Sequence, residues 1–202
     1  MKGVEQIVSS VLLTGILIAV VTAVTAIGLP LLDKTRDASS LENSRNFMIN
    51  LENSVKEVAN NGGRVRIPVT VDSDVSFDPA TEKIEMRMVT SGTLYDSEAE
   101  IPLGRNDCGI TNGKWQDNAP LTLCVLSTCI EKGDQSCRRY SVSYTLVPVE
   151  LEIGQTIETR KVELQSAGPQ LGGKDSFIVL EKLGDSGADK KKKSLVSVSI
   201  ES

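Results

Sequence analysis

A run of 27 residues without a charged side chain, Gln6 to Leu32, constrains this chain most. Built as an α-helix at 1.5 Å per residue, the run would be about 40 Å long, which exceeds the roughly 30 Å hydrocarbon core of a bilayer. A cleaved secretory signal has a shorter apolar core of about 7–15 residues, followed by a small-residue cleavage site. The run therefore predicts a retained hydrophobic helix, with a conventional signal peptide as the alternative.

A second helical pattern follows the first charged residues. Ser39 and Glu42 have the S-x-x-E spacing of a capping box, and the pattern ends at Asn60-Asn61-Gly62-Gly63, where Asn and Gly tolerate the left-handed conformation. Apolar residues recur between these ends at steps of three and four: Leu41, Met48, Leu51, Val55 and Val58. Pro30 lacks a backbone N–H, so we expect a kink there, and the two segments can join into one long bent rod.

Beyond Gly63 the apolar period changes to two. The clearest run is Tyr140 to Leu146, in which every second residue is apolar and the others are Ser or Thr, as in a sheet with one buried face. The candidate strands are Val65–Val71, Lys83–Val89, Thr93–Asp96, Leu121–Leu126, Arg139–Val147, Val149–Ile153, Thr156–Leu164, Phe177–Glu181 and Leu195–Glu201. We therefore predict an α+β fold class: a long N-terminal hydrophobic helix followed by an all-β, sandwich-like globular head.

The four cysteines all lie in this head: Cys108, Cys124, Cys129 and Cys137. Their number is even, their spacing is not that of a zinc ribbon, and the chain has no His to complete a mixed zinc site. Disulfides and an extracellular location are the preferred interpretation, with buried reduced thiols as the alternative. Of the three connectivities, we prefer Cys108–Cys124 with Cys129–Cys137, because both join near neighbours and residues 131–136 resemble a hairpin loop.

Composition argues against several functions. Without His, the chain lacks the commonest general base and metal ligand, so we expect no catalytic residues, no metal, no cofactor and no enzymatic activity. A net charge of −5 with seven aromatic residues is a poor basis for binding nucleic acid. A membrane-tethered hydrolase with paired carboxylates stays open as an alternative, since sequence cannot establish such a pair in a cleft.

Each of three charged motifs has two interpretations, a solvated surface segment and a binding site. Asp72, Asp74 and Asp78 form one acidic motif, and Asp185 and Asp189 form another, but neither fits the EF-hand calcium loop. We interpret both as solvated turns, in which Asp is common. The run of lysines at positions 190–193 lies between two candidate strands, and we interpret it as a solvated loop tip rather than a site for an acidic surface.

The first residues carry a resemblance to a known family. Met1-Lys2-Gly3 precedes Val4 and the hydrophobic run, which resembles the class III leader of archaeal type IV pilin-like proteins. The resemblance implies that a prepilin peptidase removes the leader between Gly3 and Val4, with Lys2 as the basic leader residue. The following VLLTGILIAVVTAVTAIGLPLL and the later VANNGG are similar to such proteins as well. Bacterial pilins place a Glu five residues into the mature chain, whereas Glu5 would be the second residue here, so that role is not carried over.

The resemblance implies a domain organisation and a function. Residues 1–3 would be the leader, 4–32 a transmembrane or filament-core helix, 33–63 an amphipathic helix on the head, and 64–202 an extracellular β-rich head. The protein would be a structural subunit of a type IV pilus-like cell-surface filament. Its partners would be other copies of itself through the N-terminal helix, the prepilin peptidase, and the cell membrane before assembly. The alternative is a monomeric, membrane-anchored extracellular binding or sensor module.

Overall fold

The computed structural model of the protein describes residues 2–95, 98–133, 137–154, 158–187 and 190–201, without the side chains of residues 2–10, 27, 29–31 and 33. One helix, α1, runs from Lys2 to Asn61 and closes at Gly62, whose φ of 79° is left-handed. The described strands are β1 Arg64–Pro68, β2 Asp74–Asp78, β3 Lys83–Thr90, β4 Glu100–Pro102, β5 Asn112–Lys114, β6 Leu121–Lys132, β7 Cys137–Pro148, β8 Glu150–Ile153, β9 Glu158–Ser166, β10 Leu171–Gly172, β11 Phe177–Ser186 and β12 Lys191–Glu201.

The strands form two six-stranded sheets whose inner faces share one core. The first sheet has the order β1-β11-β12-β9-β8-β5, and the second has the order β10-β2-β3-β7-β6-β4. Neighbouring strands are antiparallel except for the pairs β12 with β9 and β5 with β8. Buried side chains alternate along the strands, as in β3, where Ile84, Met86 and Met88 point inward. The β-rich, sandwich-like head that the sequence predicts is present.

The C-terminal half of α1 belongs to this core. Its apolar stripe is completely buried against the sheets: Leu41, Met48, Leu51, Val55 and Val58 are each 0% exposed. Since residues three and four apart share one face of a helix, the spacing read from the sequence does place them on a single buried side. The helix thus closes the core of the head.

Polar contacts fix where the helix meets the head. The Tyr144 hydroxyl donates a hydrogen bond to the Leu41 carbonyl at 2.9 Å and lies 3.1 Å from the Tyr95 hydroxyl. One turn earlier in the helix, the Asp37 carboxylate accepts a hydrogen bond from the Ser91 backbone N–H at 2.8 Å. The helix is therefore already in contact with the head at Asp37, one turn before the buried stripe.

Replacing Tyr144 with Phe is expected to cost about 1–2 kcal/mol, because the buried hydroxyl bridges the helix and β7. Burial, followed by the hydrogen bond with Tyr95, raises the pKa of Tyr144 above 10.0. The folded protein then keeps a proton that the unfolded chain releases, so this contribution is present below pH 10 and is lost as the pH rises. Urea unfolding at pH 8 and 11 measures both effects, with Tyr140→Phe in the same strand as control. If Tyr144→Phe and the wild type showed equal pH dependence of stability, the predicted role of the Tyr144 hydroxyl would be contradicted.

The predicted fold class is wrong in its helical part. Among the residues that the structure describes, no helical stretch is both long and apolar enough to cross a membrane, and the described chain is mostly β. The two helical segments join into one helix, as the sequence analysis allows, since α1 continues through Pro30.

Several local interpretations also need correction. The acidic motif interpreted as a turn contains strand β2, with Asp74 and Asp78 at its ends and Val75 and Phe77 buried between them. Lysines 191–193 lie in β12 rather than in a loop tip, because the partner strand β9 extends alongside them. Residues 93–95 form no strand, and Asp96 of that candidate lies outside the described residues.

Candidate functional site

The N-terminal half of α1 carries an apolar surface that the head does not cover. Every residue from Val11 to Ala26 is exposed, so the surface extends around all sides of the helix. The nine large members are each more than half exposed: Val11, Leu12, Leu13, Ile16, Leu17, Ile18, Val20, Val21 and Val24. We call this set the apolar helix surface. Large contiguous apolar surfaces that stay exposed are typical of sites that contact another protein or a membrane.

Polar groups on this stretch are already satisfied within the helix. The Thr22 hydroxyl donates to the Ile18 carbonyl at 2.8 Å, and the Thr25 hydroxyl donates to the Val21 carbonyl at 2.7 Å. A Cβ added at Gly15 would meet nothing within 4 Å, so a neighbour can approach the backbone there. Packing another helix here would break neither hydrogen bond, and the small residues permit close approach.

Two disulfides cross-link the head. Cys108–Cys124 ties the loop before β5 to β6, and Cys129–Cys137 closes the end of the β6–β7 hairpin, with Cα–Cα distances of 6.0 and 5.9 Å. These are the pairs that the cysteine spacing favours. Because disulfides persist in oxidising surroundings, the head resides in an extracellular or secreted environment.

Removing either disulfide is expected to destabilise the head. Constraining the unfolded chain over sequence separations of 16 and 8 corresponds to about 3 and about 2.5 kcal/mol respectively. The double variants Cys108→Ser/Cys124→Ser and Cys129→Ser/Cys137→Ser, compared by urea denaturation, test this. The first variant should lose at least as much stability as the second, and unchanged midpoints in both would contradict the expectation.

The remaining predicted site residues are placed only in part. Lys2, Gly3 and Val4 lie at the start of α1, but their side chains are outside the described residues, so the leader stays a prediction. Over the described ranges, no group of three or more His, Cys, Asp or Glu side chains could hold a metal ion.

A cleft that was not predicted from the sequence lies where α1 ends. It has a volume of about 710 Å3 between the last turns of the helix and the sheet around β9 and β12. Trp115, Arg160 and Lys192 contribute to its lining. Alternation along β9 is the sequence feature that points to this cleft. Arg160 lies two and four positions before the buried Val162 and Leu164, so all three share one face of the strand.

Comparisons of the chain with protein-family models, with curated proteins and with solved structures give no match. Its function is therefore inferred from the apolar helix surface, the disulfide-bonded head and the resemblance of the first residues to a class III leader.

Proposed function

We propose that the protein is a structural subunit of a type IV pilus-like filament on the cell surface. The observation that carries the proposal is the apolar helix surface, whose nine large side chains are between 54% and 67% exposed. The described residues of a single copy leave these side chains exposed to solvent. Copies of the same helix supply matching partners along the whole stretch.

The exposure on all sides favours a bundle rather than a single docking face. A surface helix of an isolated domain is apolar on one stripe, as α1 is from Leu41 to Val58, whereas a helix that is apolar all round is buried in its functional state. Burying a Val, Leu or Ile side chain contributes about 1.5–3 kcal/mol. Nine such side chains therefore make assembly strongly favourable, with the disulfide-bonded heads on the outside.

The route to assembly rests on the resemblance of the leader. We propose that a prepilin peptidase cuts between Gly3 and Val4, and that the precursor is associated with the cell membrane before it joins other copies. Extracellular filaments are then the final location, which agrees with disulfides in the head.

A substitution at the leader cleavage site is expected to block both leader removal and filament assembly. The mass of the chain recovered from its native cell surface should correspond to a start at Val4, and electron microscopy should show filaments. Gly3→Val should leave the leader attached and abolish the filaments. Gly92→Ala is the matched control, since a Cβ there meets nothing within 4 Å.

Two other outcomes of this experiment would support a different interpretation of the chain. A surface-derived chain that begins at Met1 and stays dispersed would favour the monomeric binding or sensor module. A chain that begins after Ala26 would restore an ordinary secretory signal.

A further inference from the structure

The cleft beside the end of α1 has the size of a ligand site. Its volume of about 710 Å3 lies within the roughly 300–1,000 Å3 of small-molecule pockets. One wall is the last helical turns, with Lys56 and Asn60, and the opposite wall is the inward face of β9 and β12. The inward face is apolar further along, at Leu164 and Val198, and becomes polar where it reaches the cleft.

The lining is strongly cationic. Five basic residues and a single acidic residue line the cleft: Lys56, Arg160, Lys161, Lys182, Lys192 and Asp185. Three of the lysines have carboxylate partners, in the pairs Lys56–Glu52 at 2.5 Å, Lys161–Glu82 at 2.6 Å and Lys182–Asp185 at 3.0 Å. Over the described part of the chain, Arg160 and Lys192 make no ion pair. These two cations are available to a ligand.

Strand register places the two available cations side by side. Lys192 is the register partner of Arg160 in the parallel pair of β12 with β9. Like charges on neighbouring strands repel. The next pair, Lys193 and Lys161, is also like-charged, but Glu163 lies 2.7 Å from Lys193 and Glu82 lies 2.6 Å from Lys161. Arg160 and Lys192 lack such compensation, and a bound anion would provide it.

An indole stands next to these cations. Trp115 is 42% exposed, and the Arg160 guanidinium carbon lies 5.4 Å from its ring centroid. The Trp115 backbone N–H donates to the Glu152 carbonyl at 2.9 Å, which holds the residue beside β8. A flat apolar surface next to two cations suits a ring that has an apolar face and carries a carboxylate.

We propose that this cleft binds an acidic oligosaccharide, a chain of sugar rings that carry uronate carboxylates. Arg160 and Lys192 hold a carboxylate, and Trp115 packs against the apolar face of a sugar ring. An acidic peptide fits less well, because β9 and β12 both have neighbouring strands on each side and offer no free edge for an added strand. This inference does not depend on filament formation.

Trp115 is the only tryptophan of the chain, so its fluorescence reports directly on the cleft. The full-length protein, dispersed in a polyoxyethylene detergent, is titrated with trigalacturonate, with the neutral galactotriose and with triglutamate. We expect a saturable change with trigalacturonate and at least tenfold weaker binding of the other two. The double variant Arg160→Gln/Lys192→Gln should weaken trigalacturonate binding about tenfold or more.

Lys191→Gln is the matched control, since its side chain is one position away in β12 and on the other sheet face. It should leave binding unchanged, and urea unfolding should show that both variants are folded. A Trp115→Ala variant, followed by calorimetry, should bind more weakly as well. Equal binding of galactotriose, triglutamate binding as tight as trigalacturonate, no binding at millimolar concentration, or an unaffected double variant would each overturn the proposal.

Discussion

A chain that begins at Lys34 is expected to remain monomeric at concentrations at which the full chain forms large assemblies. The truncation removes all nine members of the apolar helix surface. It keeps the contacts that hold the rest of α1 to the head, from the Asp37–Ser91 hydrogen bond to the buried stripe that starts at Leu41. Light scattering coupled to size exclusion, after removal of detergent, measures the difference.

A full-length control separates the surface from mere chain length. Leu13 and Leu17 lie one helical turn apart on the apolar helix surface and are 64% and 58% exposed, respectively. Leu13→Glu combined with Leu17→Glu places two charges on the surface without touching the head, so the variant should be folded and unassembled. If the Lys34-onward chain still forms filaments, the heads drive assembly and the proposed role of the helix is wrong.

Leu51→Ala is expected to reduce the free energy of unfolding by about 2–5 kcal/mol. Leu51 is 0% exposed and belongs to the core that the helix shares with the sheets, so the substitution leaves a cavity there. Against a total stability of about 5–15 kcal/mol, this is a large fraction. Urea denaturation of the two proteins measures it.

Leu17→Ala is the matched control for this substitution, because it is the same change in the same helix. Leu17 is 58% exposed, so its truncation should change the unfolding of the head by less than about 0.5 kcal/mol. Comparing Leu51→Ala with Leu17→Ala therefore distinguishes the half of α1 that stabilises the head from the half that is exposed. Equal losses of stability in both variants would contradict the division of α1 into a covered and an uncovered half.

Sequence patterns were sufficient for two elements that bury one face against the core. The stripe from Leu41 to Val58 and the alternation along Tyr140–Leu146 both follow from the periods of a helix and a strand packed on one core. The preferred cysteine pairs depended only on short separations along the chain. These features are local, so local patterns predict them.

Features set by distant parts of the chain could not be predicted in this way. The parallel pairing of β12 with β9 extends β12 back to Lys191, although a lysine run has no intrinsic preference for a strand. Similarly, Val75 and Phe77 are buried because β2 pairs with β3, which the surrounding aspartates concealed. Tertiary pairing overrides local composition at both places.

The cleft is also formed by residues that lie far apart in the sequence. Arg160 and Lys192 are far apart in the sequence, and only the register of two strands makes them neighbours. Trp115 comes from yet another part of the chain, beside β5. No local motif joins these three residues, so they could not be grouped from the sequence alone.

The most direct test of the proposed assembly is site-specific cross-linking in filaments. A photoreactive benzophenone side chain is placed at Leu17 in one protein and at Leu171 in another, since both leucines are exposed but only the first lies on the apolar helix surface. Illumination of assembled material should join copies to one another from position 17 and not from position 171. Cross-links between copies from position 171 alone would contradict packing through the helix.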